Sequence, residues 1–400
     1  MRPALRSLAI WSTASKKCLS LSITGLILVS LELIPTLGAP LRVSYPPKLV
    51  RGVTRCTSTE PKTKREDLFD MEAELRELSD GLKWEKLVIV TGLRRYGKTS
   101  LILTYLNEEK LDNIFLDCRL LPPGMISMGS FLELLEAELT RKSWARRILS
   151  RVEGISISEI GIRFKERDLN SLISALHALE GKILVIDEAQ ELRRSRHRFD
   201  SIIAYAYDHL DLKIILSGSQ VGLLYRFLRV DDPEAPLYGR PFKEVRMRKL
   251  SDEEAMDFLR KGFEQAGMKV SDDILEEARR FDGIIGWLTY FGFSMISNRE
   301  SVEIIERRAS KLAISELEHA LRIYGLAEAR YREALKVIAT LERARWTRIK
   351  RGIEARIGKI PSNTLSSILS NLVDSGFLEK TEEGYKIADP VLRSGILRYW

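Results

Sequence analysis

Short apolar runs alternate along the chain with longer stretches in which apolar residues return every three or four positions. "KLVIV" (86–90), "NIFLDC" (113–118), "KILVID" (182–187) and "LKIILSGS" (212–219) are compact and rich in β-branched residues. Runs of this length with little polar alternation suit strands covered on both faces of a parallel sheet. Between them, Leu101, Ile102, Tyr105 and Leu106 keep helical spacing, as do "LNSLISALHAL" (169–179) and "DSIIAYAYDHL" (200–210). "FLELLEAELTRKSWARRIL" (131–149) reads as one amphipathic helix, and Leu68, Met71, Leu75 and Leu78 place another at the start of the globular part. "GISISEIGIRF" (154–164) nearly alternates, which predicts a hairpin insertion. Strands alternating with helices predict an α/β fold, a parallel sheet with helices on both faces.

The pattern turns helical after residue 250. Ser251 is placed to cap "DEEAMDFLRKGFEQAG", with Glu254 at the capping-box position, and helices continue to about residue 322. From about 328, "YREALKVIATLE", "RIKRGIEARIG" and "SNTLSSILSNLVDSGFL" read as three helices. "FLEKTEEGYKIAD" then reads as a hairpin turning at "EEG", and three helices with a terminal hairpin make a winged helix. In its third helix Ser362 is read as the N-cap, and Leu365, Ile368, Leu369, Leu372 and Val373 as the core face. Asn363, Thr364, Ser367, Ser370 and Asn371 face outward, with no Arg or Lys among them for guanine contacts. The expected organisation is an N-terminal apolar segment and linker (1–61), an α/β core (62–250), a helical lid (251–325) and a winged helix (326–400).

The first sixty residues stand apart. "CLSLSITGLILVSLELIPTLGAP" is apolar, is preceded by Arg2, Arg6, Lys16 and Lys17, and is interrupted by Glu32. It fits a signal peptide, a weak anchor, or a non-functional extension from a misassigned start. Glu32 costs a few kcal/mol in a bilayer, so the extension is the preferred reading and membrane attachment is not expected. Cys18, Cys56 and Cys118 have no metal-ligand spacing and cannot all pair within one chain, a reducing-compartment pattern that points to the cytoplasm. A net charge of +8 over 400 residues permits an anionic partner without requiring one.

The chemistry starts where the first strand stops. Gly92, Leu93, Arg94, Arg95, Tyr96, Gly97, Lys98, Thr99 and Ser100 fill G-x-x-x-x-G-K-[ST] plus one residue. Such a loop wraps a polyphosphate with inward N–H groups, and the following helix offers its positive end to the same anion. Lys98 can reach the outer phosphates and the Thr99 hydroxyl can ligate Mg²⁺. The plain alternative is a tight strand-to-helix turn with lysine and threonine as ordinary surface residues; the full match between an apolar strand and a helix favours the phosphate loop.

"KILVIDEAQEL" delivers Asp187 and Glu188 at the end of a buried strand, where open parallel sheets place ligands. Asp187 suits Mg²⁺, and Glu188 suits orienting and polarising an attacking water. Alone the pair could equally be an acidic strand exit; the phosphate loop upstream favours the site. The fourth strand ends in Ser217, Ser219 and Gln220. In a five-stranded nucleotide-binding sheet, a strand lying between the loop strand and the acidic strand brings a polar group near the γ-phosphate. Ser219 is the first choice and Ser217 the second, against an ordinary polar strand end.

"LFDMEAELREL", "GLRRYGKTSL", "ILVIDEAQEL", "LSGSQVGLLY", "PLYGRPFKEVRMRKLS" and "GWLTYFG", in this order, resemble the archaeal ATPase family within the AAA+/STAND group of P-loop NTPases. The resemblance spans about residues 62–400. It implies ATP over GTP, and no [NT]KxD guanine motif follows the fourth strand. It also implies a Mg²⁺-dependent ATPase acting as a nucleotide-controlled switch. A replication-initiator-like DNA-binding ATPase and a nucleotide-dependent scaffold with little turnover are the alternatives. Partners would then be ATP, a protein or a second copy, and DNA held weakly through the winged helix. In the family's "LYGR" segment the arginine is Arg240 here, a candidate to stabilise phosphoryl charge in its own chain or a neighbour's, or simply a surface arginine. The family's lid usually reads Gly-Gly-x-Pro-Gly-Trp-Leu; here "DGIIGWL" puts Asp282 and Ile285 where a glycine and the proline stand.

Overall fold

A computed structural model describes residues 57–159 and 161–400. The readings for residues 1–56 lie outside the described residues. Five strands, β1 (Leu87–Thr91), β2 (Asn113–Asp117), β5 (Ile183–Asp187), β6 (Lys213–Gly218) and β7 (Lys243–Arg246), form one parallel sheet in the order β2-β5-β6-β1-β7. Between β2 and β5, β3 (Ile155–Ile157) and β4 (Ile162–Phe164) make the expected antiparallel hairpin. The polar-ended strand β6 lies between the loop strand and the acidic strand, as the sequence pattern requires. Its register aligns Thr91 with Gly218, and β2 aligns Asp117 with Asp187. All the strand ends that carry polar chemistry therefore share one edge.

Period-two alternation divides the core. Leu87 and Ile89 point into one buried cluster with Ile114, Leu116, Leu184, Ile186, Ile214 and Leu216. Val88 and Val90 point into the other with Val185, Ile215 and Val245. The first face is covered by α3 (Met128–Arg141), α4 (Ser143–Leu149), α5 (Leu169–Ala178), α6 (Phe199–His209) and α7 (Val221–Leu228). The second is covered by α1 (Glu72–Trp84) and α2 (Lys98–Glu108). This second cluster continues without a break into the lid, α8 (Asp252–Gln265), α9 (Asp272–Glu276), α10 (Ile285–Asn298) and α11 (Val302–Leu321). It runs on into the winged helix, α12 (Glu328–Leu341), α13 (Trp346–Ile357), α14 (Ser362–Asp374), β8 (Leu378–Thr381) and β9 (Gly384–Ile387), closed by α15 (Pro390–Tyr399). Lid, winged helix and one sheet face thus share a single apolar interior.

Several expectations need correction. The segment 131–149 is two helices, because Lys142 takes an extended conformation between them. The first helix begins at Glu72; Leu68 and Met71 are buried ahead of it, across Asp70 with φ 48°. Strand β7 and helix α15 carry no strong pattern of their own. Only Val245 of β7 is fully buried, whereas α15 has a readable start, Asp389 capping Val391 and Leu392 with Pro390 in the first turn. Among the described residues no helix is long and apolar enough to cross a membrane.

Capping gives a clean contrast. Ser251 and Glu254 form the reciprocal capping box. Ser362 lies inside the first turn behind Pro361, makes no cap bond, and instead accepts from Lys350 Nζ at 3.1 Å. Ser251→Ala should therefore cost about 1 kcal/mol in urea unfolding, and Ser362→Ala less than about 0.5 kcal/mol. Equal losses would contradict this assignment of caps.

Candidate active site

Strand β1 stops at Thr91, the chain loops through 92–97, and α2 starts at Lys98 with Gly97 as a left-handed N-cap at φ 86°. The glycine is needed twice over. Any Cβ there would sit in an unfavourable backbone region and 2.6 Å from Met71 Cε. The loop is thus pressed from outside by the core as well as kept open on its inner side.

Inside the loop Lys98 is almost fully buried, and its Nζ donates to the Gly92 and Leu93 carbonyls at 2.7 and 2.8 Å. Burial pulls its pKa below the ordinary lysine range, while Glu188 and Asp187 pull it back. Thr99 Oγ1 donates to Asp187 Oδ2 at 2.9 Å, and Ser217 Oγ donates to Asp187 Oδ1. Burial, then the neighbouring Glu188, raise the Asp187 pKa against those two bonds. Glu188 sits at φ 53°, a costly conformation for a non-glycine residue that turns it back over the strand ends. Its Oε2 accepts from Ser219 N at 3.1 Å, Ser219 Oγ at 2.6 Å and Gln190 Nε2 at 2.6 Å. Burial pushes its pKa up, but the Lys98 charge and these hydrogen bonds outweigh it and hold the carboxyl below its usual range. Glu188 is therefore ionised at neutral pH and able to take a proton.

The hydroxyl of Thr99 and the carboxylate of Asp187 are hard oxygen ligands side by side, the kind of partial set Mg²⁺ uses when phosphates and water complete its shell. No group of three or more His, Cys, Asp or Glu able to hold a metal occurs among the described residues. The residues present fit Mg²⁺ bound together with a nucleotide.

The remaining loop residues face elsewhere. The Arg94 and Arg95 side chains turn away from the loop interior, as side chains in such a loop commonly do, which leaves their backbone N–H groups as the atoms that could face a phosphate. Arg95 Nη1 donates to Glu316 Oε2 of α11 at 3.0 Å, its other Nη pairs with Oε1, and its guanidinium lies 3.9 Å from the Trp287 ring centre. Arg94 pairs with the same Glu316 at 3.7 Å and lies over Phe377 of the winged helix at 5.6 Å. Trp287 Nε1 donates to half-buried Asp389 Oδ2 at 2.8 Å, and Gly286 N donates to the Arg95 carbonyl at 2.9 Å. Tyr96 is buried in the shared core. Ser100 Oγ accepts from Lys62 N at 3.0 Å and so faces the N-terminal segment rather than the loop. A Cβ on Gly376 of the winged helix would come 2.8 Å from Leu93 and 3.4 Å from the Ser219 carbonyl. Between loop, lid and winged helix remains a cavity of about 40 Å³, room for little more than a water.

Arg240 is not brought to the site. It makes a two-pronged pair with Asp208, at 2.9 and 2.6 Å, where α6 ends and shortly before β7 begins, at the opposite edge of the sheet. In this arrangement it cannot act on its own chain's nucleotide. Ile285 occupies the first turn of α10, a position proline favours but does not require, so the lid turn forms without it. Two residues escaped the sequence reading. Gln190 holds Glu188, and Arg119 binds Asp117 at 2.7 Å while standing 3.9 Å from Asp187. Applying the strand-end rule to "NIFLDCR" would have found Arg119.

The sequence profile of an ATPase domain found predominantly in Archaea matches residues 68–290. The chain belongs to this family. A second profile, the winged helix-turn-helix domain at the C-terminus of MCM proteins, matches residues 326–388. Among solved structures, a Walker-type ATPase of Pyrococcus abyssi is 34% identical, covering 86% of this chain and 99% of its own, with a TM-score of 0.74. The RuvB Holliday-junction branch-migration motor of Thermotoga maritima is 14% identical, covering 82% of this chain and 96% of its own at a TM-score of 0.41, too low to carry an argument. A search of curated proteins finds no match. The ATPase-domain profile spans the sheet core and the first part of the helical segment, and the winged-helix profile spans most of the C-terminal domain.

The junction should also respond to pH. Burial raises the Asp389 pKa, opposed by the Trp287 bond and the Arg95 charge. A raised carboxyl keeps its proton longer in the folded than in the unfolded chain. Its contribution to stability is therefore full below the ordinary aspartate range and declines as pH rises through the raised value. Relative to wild type, Asp389→Asn should gain stability as pH rises across that window, measured by urea unfolding at a series of pH values. A difference independent of pH would refute the assignment.

Proposed function

We propose that this protein is an ATP-binding, Mg²⁺-dependent ATPase that works as a nucleotide-controlled switch. One observation carries the reading: the phosphate loop is the piece to which both lid and winged helix are fastened, through Arg94, Arg95 and Leu93. A phosphate entering the loop competes with the Gly92 and Leu93 carbonyls for Lys98 and alters the backbone that carries the two arginines. Binding at the loop is thereby coupled to the packing of the other segments, the kind of bistable contact a switch needs.

For hydrolysis, Lys98 and the loop N–H groups hold the phosphates and orient the γ-phosphoryl group. Thr99 and Asp187 would hold Mg²⁺, which when bound neutralises phosphate charge. Glu188, once released from Ser219, accepts the proton of a water whose oxygen attacks the γ-phosphorus, and the bridging oxygen leaves with ADP. Arg240, at the far edge, would serve only a neighbouring copy's nucleotide, which makes self-association part of this reading. Cys118, free and buried, suits a reducing cytoplasmic setting.

The test separates binding from turnover. At a ligand concentration about 100 times Kd, ATP·Mg²⁺ should stabilise the wild-type chain by about 2.7 kcal/mol. Lys98→Ala should lose most of that thermal shift. Glu188→Gln should keep it while hydrolysis falls about a hundredfold or more. Equal shifts in wild type and Lys98→Ala, or wild-type turnover in Glu188→Gln, would remove the site from the chemistry.

A further inference from the structure

The recognition helix of the winged helix, α14, is occupied by its own chain. Arg226 of α7 donates to Ser370 Oγ at 3.0 Å and to Asn371 Oδ1 at 3.4 Å, and pairs with Asp374. Asn371 Nδ2 donates to the Tyr331 hydroxyl at 2.7 Å. A Cβ on Gly222 of α7 would come within 2.5 Å of the Asp374 Cα, so the two helices touch backbone to backbone. Two of the five outward-facing residues, Ser370 and Asn371, are engaged in this contact.

The neighbouring helix α13 presents the opposite situation. Arg345, Arg348 and Arg351 are exposed at successive turns of one face, and none has a carboxylate within ion-pairing distance among the described residues. Three basic neighbours are engaged: Lys350 donates to Ser362, Arg356 pairs with Glu333, and Arg343 pairs with Glu383 at the wing tip. Like charges three residues apart on a helix repel, so this row is uncompensated within the fold. The three arginines line a groove of about 570 Å³ with Arg343, Thr347 and Glu383. Its walls are fixed to each other, because Ala344 and Tyr385 exchange both backbone hydrogen bonds, each at 2.9 Å, and tie the α12–α13 connection to the wing.

We infer that this groove on α13 binds the phosphate backbone of duplex DNA, with Glu383 as a built-in counter-charge that the phosphates displace. The row spans about 9 Å of helix, enough for two or three phosphates of one strand at about 3.4 Å of duplex axis each. Guanidinium groups suit phosphate in paired hydrogen bonds. No lining residue is aromatic or aliphatic, so the groove offers no aromatic platform for successive free bases and nothing to insert into a lipid surface. Such a contact positions the protein on DNA without reading sequence. It does not depend on ATP hydrolysis, and it stays open while α14 is docked on the core.

Anisotropy titrations of a short labelled DNA duplex with the full chain test this at low and near-physiological salt. Wild type should bind with a log affinity falling against log salt at a slope of about −2 to −3, as expected for two or three neutralised phosphates. The Arg345→Ala, Arg348→Ala, Arg351→Ala triple variant should lose about tenfold or more at low salt. Glu383→Gln should bind a few-fold more tightly, a gain that a misfolded domain would not show. Wild-type affinity in the triple variant, no gain in Glu383→Gln, or binding of phosphatidylserine vesicles in preference to the duplex would each overturn the inference. ATP-induced stabilisation in the same variants reports separately on the nucleotide site.

Discussion

The Arg95 guanidinium is the point on which the arrangement turns. It stacks on Trp287, pairs with Glu316, and leaves its own carbonyl to accept from Gly286. A partly buried cation over an indole is worth about 1 kcal/mol; the Glu316 pair is more exposed and adds less. The larger consequence is geometric. Arg95 belongs to the phosphate loop, Trp287 and Glu316 to the lid, and Trp287 passes the connection to Asp389 at the head of α15. Three segments of the chain meet at one side chain whose backbone must also cradle an anion.

That double duty explains features that look odd in isolation. Gly286 lacks a side chain because a Cβ would come 2.5 Å from that of Arg95. Glu188 bears a strained backbone and three donors on its Oε2, which hold the carboxylate ionised and turned onto Ser219. Lys98, buried and satisfied by loop carbonyls, occupies the loop's own interior. Each element of the chemistry is present, and each is engaged by a protein partner that a nucleotide would have to replace. The arrangement is that of a closed machine rather than a poised one.

Much of this was legible in the sequence, and the division is physical. The strands of "KLVIV", "KILVID" and "KIILSGS", the phosphate loop, and the gathering of the strand-end residues at one edge follow from local periodicity and from the rule that parallel strands deliver their ends to one edge; that Ser217 and Ser219 would bond Asp187 and Glu188 was not foreseen. The partners of Arg94, Arg95 and Ser100 were not legible. A side chain on a loop takes its direction from partners far away in sequence, here Glu316, Trp287, Phe377 and Lys62. The place of Arg240 stayed open for the same reason: a segment pattern does not say which edge of the sheet the residue occupies until β7 is known to follow it. The outward face of α14 looked free because a helix pattern distinguishes buried from exposed only for apolar residues. Ser370 and Asn371 are polar and nonetheless engaged by Arg226.

The central claim is that filling the phosphate loop loosens the winged helix from the core. Amide hydrogen exchange across residues 221–228 and 370–378, followed in Glu188→Gln with and without saturating ATP·Mg²⁺, addresses it directly. The account predicts faster exchange in both segments when the nucleotide is bound, with the sheet strands unchanged or better protected. Unaltered or increased protection of the α7–α14 contact, in a chain that demonstrably holds ATP, would contradict it.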